Sequence, residues 1–249
     1  MILKDLYDIL LCMRLDQALV FRNLYPTRAK AVAAIKAGLV SVNGKKAEKP
    51  SLSVLDTDVI NAGNLPYSVG RGSLKLSHAL QYFKIGVRGC VCLDVGASTG
   101  GFTEVLLKNG AIKVYAVDVG TNQLVSELRS DARVVSLERT DIRDLVPLSP
   151  VDLIVIDVSF VSLTNIIECL PRWSAKTIIA LIKPQFEVPR EISAKCNGVI
   201  KSSDWHDWSI NRVTDAFLDA GFDCLGVTES PVKGGSGNTE FLACFKLKK

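Results

Sequence analysis

The stretch Leu93-Asp94-Val95-Gly96-Ala97-Ser98-Thr99-Gly100-Gly101-Phe102 constrains this chain more than any other. An apolar run from Val91 to Val95 ends in a glycine turn, and Phe102, Val105 and Leu106 then recur at helical spacing. The pattern predicts a buried strand, a tight turn and a helix. Glycines at 96, 100 and 101 let backbone approach a ligand where a Cβ would clash. A dinucleotide fingerprint needs glycine at 98, where Ser98 stands, and the Gly-Lys-Ser/Thr of a Walker loop is absent. An aspartate just ahead of the turn suits a nucleoside with a positive centre, such as S-adenosylmethionine. Taken alone, the stretch serves equally as a cofactor loop or as a structural strand-to-helix turn.

The chain around it alternates strand and helix. Strands are predicted at Cys90 to Val95, Lys113 to Val117, Val134 to Leu137, Leu153 to Ile156, Thr177 to Ile182, Cys224 to Thr228 and Glu240 to Phe245. Helices are predicted at Thr103 to Lys108, through Leu124 and Leu128, near Leu163 to Leu170, and near Asp207 to Ala220. Apolar strands separated by helices indicate a parallel sheet covered on both faces. A last strand reached through Gly234-Gly235-Ser236-Gly237 is able to pair antiparallel. The fold class is α/β, with a seven-stranded Rossmann-like sheet of the class I methyltransferase type.

In such sheets ligands bind beyond the carboxyl ends of the strands. Asp94, Asp118, Asp141, Asp157 and Lys183 fall at successive strand ends, and an antiparallel last strand brings Glu240 to the same rim. Asp118 lies 24 residues beyond Asp94, a spacing that suits acceptance of ribose hydroxyls. Asp141 is placed to meet an adenine amino group. The turn from Gly96 through Ala97, Ser98, Gly100 and Gly101 to Phe102 then contacts the amino-acid end of the donor.

A predicted helix with Leu74, Leu76, Ala79, Leu80 and Phe83 on one stripe carries Lys75 off its apolar face. Lys75, Asp157, Lys183 and Glu240 form a second layer on the rim. As structure, they read as a salt-bridge network of doubtful net stabilisation. As chemistry, they read as a site that deprotonates a ribose 2′-hydroxyl. Lys183 is the base, with Lys75 nearby to lower its proton affinity. Asp157 orients the lysine, and Glu240 places the hydroxyl or balances Lys75.

Charge is distributed unevenly. The whole chain carries +4, yet residues 14–50 alone hold eight Lys/Arg against Asp16 and Glu48. Such clustering is a phosphate-binding footprint. Here a short helix from Leu15 and a second from Arg28 to Ala37, ended by Gly38, precede Val40-Ser41-Val42-Asn43-Gly44, a type I′ hairpin signal. A final strand is predicted from Val54 to Ile60. Residues 1–13 read as an N-terminal extension and 61–72 as a turn-rich linker before a catalytic domain at 73–249.

Arg14-Leu15-Asp16, Thr27-Arg28, Gly38-Leu39-Val40, Val42-Asn43-Gly44 and Lys49-Pro50-Ser51 resemble the alpha-L RNA-binding module, the S-four type of the small ribosomal subunit. The resemblance covers residues 14–60 and implies a small α+β RNA-binding module. Arg14, Arg28, Lys30, Lys36, Lys45 and Lys46 are its candidate RNA contacts. Val69-Gly70-Arg71-Gly72-Ser73-Leu74-Lys75, Asp94 to Thr103, Asp157-Val158-Ser159-Phe160, Lys183-Pro184-Gln185-Phe186-Glu187 and Gly237-Asn238-Thr239-Glu240-Phe241 resemble the TlyA-type proteins. These belong to the FtsJ-like 2′-O-methyltransferases and have also carried the label hemolysin A. Gly70 and Ser73 stand where the family pattern has Ser and Gly. The resemblance implies methylation of a cytidine ribose in ribosomal RNA, within ribosomes or subunits, with S-adenosylmethionine as donor. It also implies that Lys75, Asp157, Lys183 and Glu240 are the catalytic set.

Other classes fit less well. No window of about 18 apolar residues predicts a membrane span, and the first twelve residues lack the features of a signal peptide. A membrane-active hemolysin needs an exposed insertion segment and a secretion route, and neither is visible. A non-catalytic ribosome-assembly factor would not require the lysine and carboxylate set. Seven cysteines without a CxxC pair read as reduced thiols of a cytoplasmic protein. His78 and His206 lack metal-ligand spacing, so no metal is expected. A monomer is the expected state.

Overall fold

The computed structural model describes residues 12–25, 27–63 and 72–248. Residues 1–11 of the expected extension, most of the linker and the Val69-Gly70-Arg71 part of the family pattern lie outside the described residues, whereas Met13, expected in the extension, belongs to the first strand. The chain divides into two compact units, residues 1–68 and 69–249.

In the first unit, β1 (Met13–Arg14) leads directly into α1 (Leu15–Phe21), and α2 (Arg28–Lys36) follows. Leu15, Ala18 and Leu19 of α1 pack with Ala31, Ala34 and Ile35 of α2 in one buried core. Strands β2 (Val40–Val42) and β3 (Lys45–Lys46) form the hairpin. Asn43 and Gly44 have φ of 51° and 78°, the left-handed pair that a type I′ turn requires. The single strand expected over 54–60 is instead two. β4 (Ser53–Val54) pairs with β1, and β5 (Ile60–Ala62) pairs with β2. Between them Asp58 turns the chain by accepting the Leu55 N–H at 2.8 Å. The sheet therefore runs through Asn61 and Ala62, past the expected start of the linker.

The second unit opens with α3 (Gly72–Tyr82). Leu76, Ala79 and Leu80 of α3 are buried, as the stripe predicts, but Leu74 is exposed and Lys75 is buried in its stead. The strands are β6 (Val91–Val95), β7 (Lys113–Val117), β8 (Val134–Leu137), β9 (Leu153–Ile156), β10 (Thr177–Ile182), β11 (Phe222–Glu229) and β12 (Phe241–Leu247). They form one sheet in the order β11-β12-β10-β9-β6-β7-β8. β8, β7, β6, β9 and β10 run parallel, and β12 inserts antiparallel between β10 and β11. β9 is apolar along its whole length and β10 from Ile178 onward, as strands covered on both faces require.

α4 (Gly101–Lys108) follows β6, the four-residue α5 (Ser126–Arg129) precedes β8, and α8 (Ser203–Asp219) precedes β11. The helix expected near Leu163 to Leu170 is instead a chain of short 3-10 turns at Leu163–Asn165, Ile167–Cys169 and Pro171–Trp173. Leu163, Ile166, Ile167 and Leu170 are buried all the same. Two short helices that periodicity had not distinguished, α6 (Pro184–Glu187) and α7 (Arg190–Lys195), follow β10. No helix among the described residues is long and apolar enough to cross a membrane.

Candidate active site

Register alone brings the two ends of the chemistry together. β10 pairs with β12 so that Ile182 faces Phe241. Continuing that register by one residue sets Lys183 opposite Glu240. β9 lies on the other side of β10, and Asp157 is the first residue beyond it. Lys75 reaches the same rim from α3.

Lys183 Nζ lies 2.7 Å from Asp157 Oδ1 and donates to Ser159 Oγ at 2.9 Å. Lys75 Nζ lies 2.6 Å from Glu240 Oε2. Both lysines and Glu240 are buried. All four side chains line one cavity of about 550 Å³, together with Gly72, Gly96, Ala97, Ser98, Gly101 and Phe102. Lys75, although off the apolar stripe, is buried here rather than solvated. Its partner arrives 165 residues later in the chain, beyond the reach of local periodicity.

A second cavity of about 490 Å³ shares Gly96, Ser98, Asp157, Ser159 and Phe160 with the first. It is lined further by Asp118, Gly120, Gln123, Asp141, Ile142 and Arg143. Asp118 accepts the Ser98 N–H and the Gly120 N–H, each at 2.7 Å, and so ties the glycine turn to the end of β7. Asp141 is held by Arg143 at 2.6 Å, which keeps its carboxyl below the usual range.

Asp94 and Gly100 are absent from both linings, unlike the rest of the expected donor-binding set. Asp94 is fully buried and accepts from Thr103 Oγ1 at 2.6 Å. Its Oδ1 has no hydrogen-bond partner. Burial raises its carboxyl to about 7, with Asp157 and Asp118 adding to the effect. Gly100 is needed for packing. Its φ is +101°, and a Cβ there would meet Leu128 Cδ1 at 2.2 Å. Gly96 is needed for closeness, since a Cβ would meet the Asp157 carbonyl oxygen at 2.6 Å.

The donor set fits a cationic nucleoside. Four aspartates surround or underlie the paired cavities, one has an orphaned buried oxygen, and glycine keeps the shared wall thin. Among the described residues no group of three or more His, Cys, Asp or Glu is placed to hold a metal ion.

Sequence reasoning did not single out Phe160. Its φ is +65°, a strained value for a bulky residue, and its side chain is 91% exposed. It lines both cavities, and its ring sits 5.3 Å from that of Phe186. The available signal was an aromatic directly after a strand end in Asp157-Val158-Ser159-Phe160.

In the first unit, Arg14 and Arg28 converge on buried Asp16, at 3.0 and 2.8 Å. Both guanidiniums remain partly exposed. Lys36, Lys45 and Lys46 are exposed, and the side chain of Lys30 lies outside the described residues. Arg22 is structural, donating to the carbonyls of Leu55, Asp56 and Asp58.

Comparison with known proteins gives consistent matches. The family described as FtsJ-like methyltransferase matches residues 68–247, and the S4 domain matches residues 13–60. Hemolysin A of Brachyspira hyodysenteriae is 42% identical over 244 residues, covering 94% of this chain and 99% of that protein. The 16S/23S rRNA (cytidine-2′-O)-methyltransferase TlyA of Mycobacterium tuberculosis is 42% identical over 235 residues, covering 92% and 87%. A solved structure from Streptococcus thermophilus, described as a candidate hemolysin, aligns with TM-score 0.71 and 40% identity, covering 96% of this chain and 90% of that one.

Proposed function

The chain belongs to the FtsJ-like methyltransferase family and carries an S4 domain ahead of it, and we propose that it transfers a methyl group from S-adenosylmethionine to a cytidine 2′-hydroxyl of ribosomal RNA. The observation that carries this reading is the meeting of Lys75, Asp157, Lys183 and Glu240 in one cavity. That cavity shares a wall with an acid-lined second one.

In this reading the second cavity holds the nucleoside of the donor between Asp118, Asp141 and Ile142. The glycine turn holds its charged end, and Asp94, buried beneath that turn and lining neither cavity, acts on it only through its field. S-adenosylmethionine, when bound, supplies a sulfonium methyl to which the hydroxyl oxygen bonds as the carbon–sulfur bond breaks and its electron pair returns to sulfur. Lys183 Nζ, as the free amine, takes the proton from the 2′-hydroxyl. Asp157 and Ser159 fix the direction of that amine, and Asp157 balances the ammonium that results. Glu240 holds Lys75 in place, and Lys75 supplies positive potential beside the base and the developing alkoxide. Positioning contributes much of the acceleration because the methyl group is already activated.

Phe160 offers an exposed aromatic face between the cavities. An unstacked base needs such a face once its nucleotide leaves the RNA fold. Arg14 and Arg28, held by Asp16, and the lysines of the hairpin grip phosphates elsewhere on the same RNA. In this reading the chain acts as a monomer on ribosomes or subunits in the cytoplasm.

The test is transfer of a labelled methyl group from S-adenosylmethionine to ribosomes, separated subunits and naked ribosomal RNA, with Lys183→Ala as control. Labelling of at least one of these by the unmodified chain, lost in the variant, is the expected result. Absence of labelling in all three contradicts the reading.

A further inference from the structure

Glu138 follows β8 directly and belongs to none of the groups described so far. Its carboxylate accepts three successive backbone N–H groups. Asn122 donates to Oε2 at 2.7 Å, and Gln123 and Leu124 donate to Oε1 at 2.9 and 3.0 Å. Arg129 Nη2 donates to Oε1 at 2.9 Å and to the Leu124 carbonyl at 3.0 Å. These bonds, that from Leu124 foremost, hold the Glu138 carboxyl below its ordinary range.

The segment gripped in this way, residues 119–124, forms one side of the second cavity and packs beneath the glycine turn. Val119, Gly120 and Gln123 line it directly. Leu124 and Leu128 pack against Gly100, where an added Cβ would meet their Cδ1 atoms at 2.8 and 2.2 Å. The loop after β7 is therefore braced by a carboxylate that lines neither cavity, and through Leu124 this brace reaches the glycine turn that Asp118 also ties.

We infer that Glu138 is a positioning residue for the methyl donor and sets the affinity for its adenosine moiety. The inference rests on the reading of the second cavity as the donor site. A glutamine at 138 keeps one acceptor oxygen but turns an NH2 group toward a backbone N–H that needs an acceptor. The loop must then shift, and the adenosine walls shift with it. Loss of one charge-assisted hydrogen bond corresponds to about a tenfold change in dissociation constant.

Calorimetric titration of the full chain with S-adenosylmethionine, S-adenosylhomocysteine and adenosine tests this. Glu138→Gln is expected to weaken all three by the same factor, about tenfold, because the damage lies at the shared end. In turnover, KM for the donor is expected to rise by more than kcat falls. Wild-type affinity for all three ligands in Glu138→Gln, with only a lowered melting temperature, overturns the inference and leaves Glu138 a fold-stabilising residue. If Glu138→Gln does not fold, Arg129→Ala decides, since it removes one anchor of the same clamp. Weaker binding of all three ligands supports the inference, and unchanged binding overturns it. A wild-type chain that binds the donor but methylates no RNA sinks the acceptor reading and leaves the assignment of Glu138 intact. A wild-type chain that binds none of the three ligands overturns both.

Discussion

Lys75 Nζ sits 2.6 Å from Glu240 Oε2, with the two side chains only 10% and 3% exposed. Removing one member of such a pair leaves a buried charge without a partner. Glu240→Ala is expected to cost about 3–5 kcal/mol of stability. Replacing both, as Lys75→Met with Glu240→Gln, is expected to recover most of that loss. Methyl transfer stays absent in the double variant if the pair is present for chemistry. Denaturant titration and a transfer assay on the same preparations check both halves.

Asp94 carries a stability signature of its own. Its folded carboxyl sits at about 7 against an ordinary 3.8, so the native state holds the proton over that window. The stability this contributes is fully present below the unfolded value and is lost as pH rises through about 7. Asp94→Asn removes the buried negative charge. It is expected to be more stable than wild type above that pH, and to bind the cationic donor at least about tenfold more weakly. Melting curves across pH, paired with donor titrations, read both effects. A variant that binds the donor normally would remove Asp94 from the site.

Phe160 trades stability for an exposed ring. Relieving a left-handed backbone is worth about 1–2 kcal/mol, so Phe160→Gly is expected to melt no lower than wild type. Loss of one stacking face costs about 1–3 kcal/mol. Transfer to RNA at low substrate is therefore expected to fall by about tenfold or more. A drop in melting temperature with unchanged transfer would show that the ring packs rather than receives a base.

The first unit has the opposite pH behaviour. The Arg14 guanidinium, followed by that of Arg28, lowers the Asp16 carboxyl from 3.8 to about 2. Its contribution to stability is present above the unfolded value and is lost as pH falls toward the folded one. Asp16→Asn is expected to destabilise the unit at neutral pH and to match wild type near about pH 2. It also frees two arginines from fixed positions, so RNA affinity is expected to fall. Filter binding over a salt series measures this.

Much of this was legible in the sequence because it is local. The apolar runs of β6, β7, β9 and β10 and the Asn43-Gly44 turn carry their own signal. The misses are non-local. Leu163, Ile166, Ile167 and Leu170 have helical spacing, yet the buried face they require is also met by consecutive 3-10 turns that end at Pro171–Trp173. The break at Asp58 depends on its side chain capturing Leu55 N–H, in a segment otherwise apolar enough for one strand. Burial of Lys75 depends on a carboxylate delivered by the antiparallel β12. Nothing local marks Glu138, whose partners are backbone N–H groups of a loop 14 to 16 residues earlier.

The central claim is that Lys183 accepts a proton from a ribose hydroxyl, and the position of the transferred methyl tests it most directly. Ribosomal RNA labelled by the full chain, digested to nucleosides and resolved by mass spectrometry, is expected to hold the new methyl in 2′-O-methylcytidine. Lys183→Ala is expected to bind S-adenosylmethionine and to leave that nucleoside unlabelled, a loss of at least about a hundredfold. A methyl found on the base, or a Lys183→Ala variant that still labels the ribose at the wild-type rate, would contradict the account.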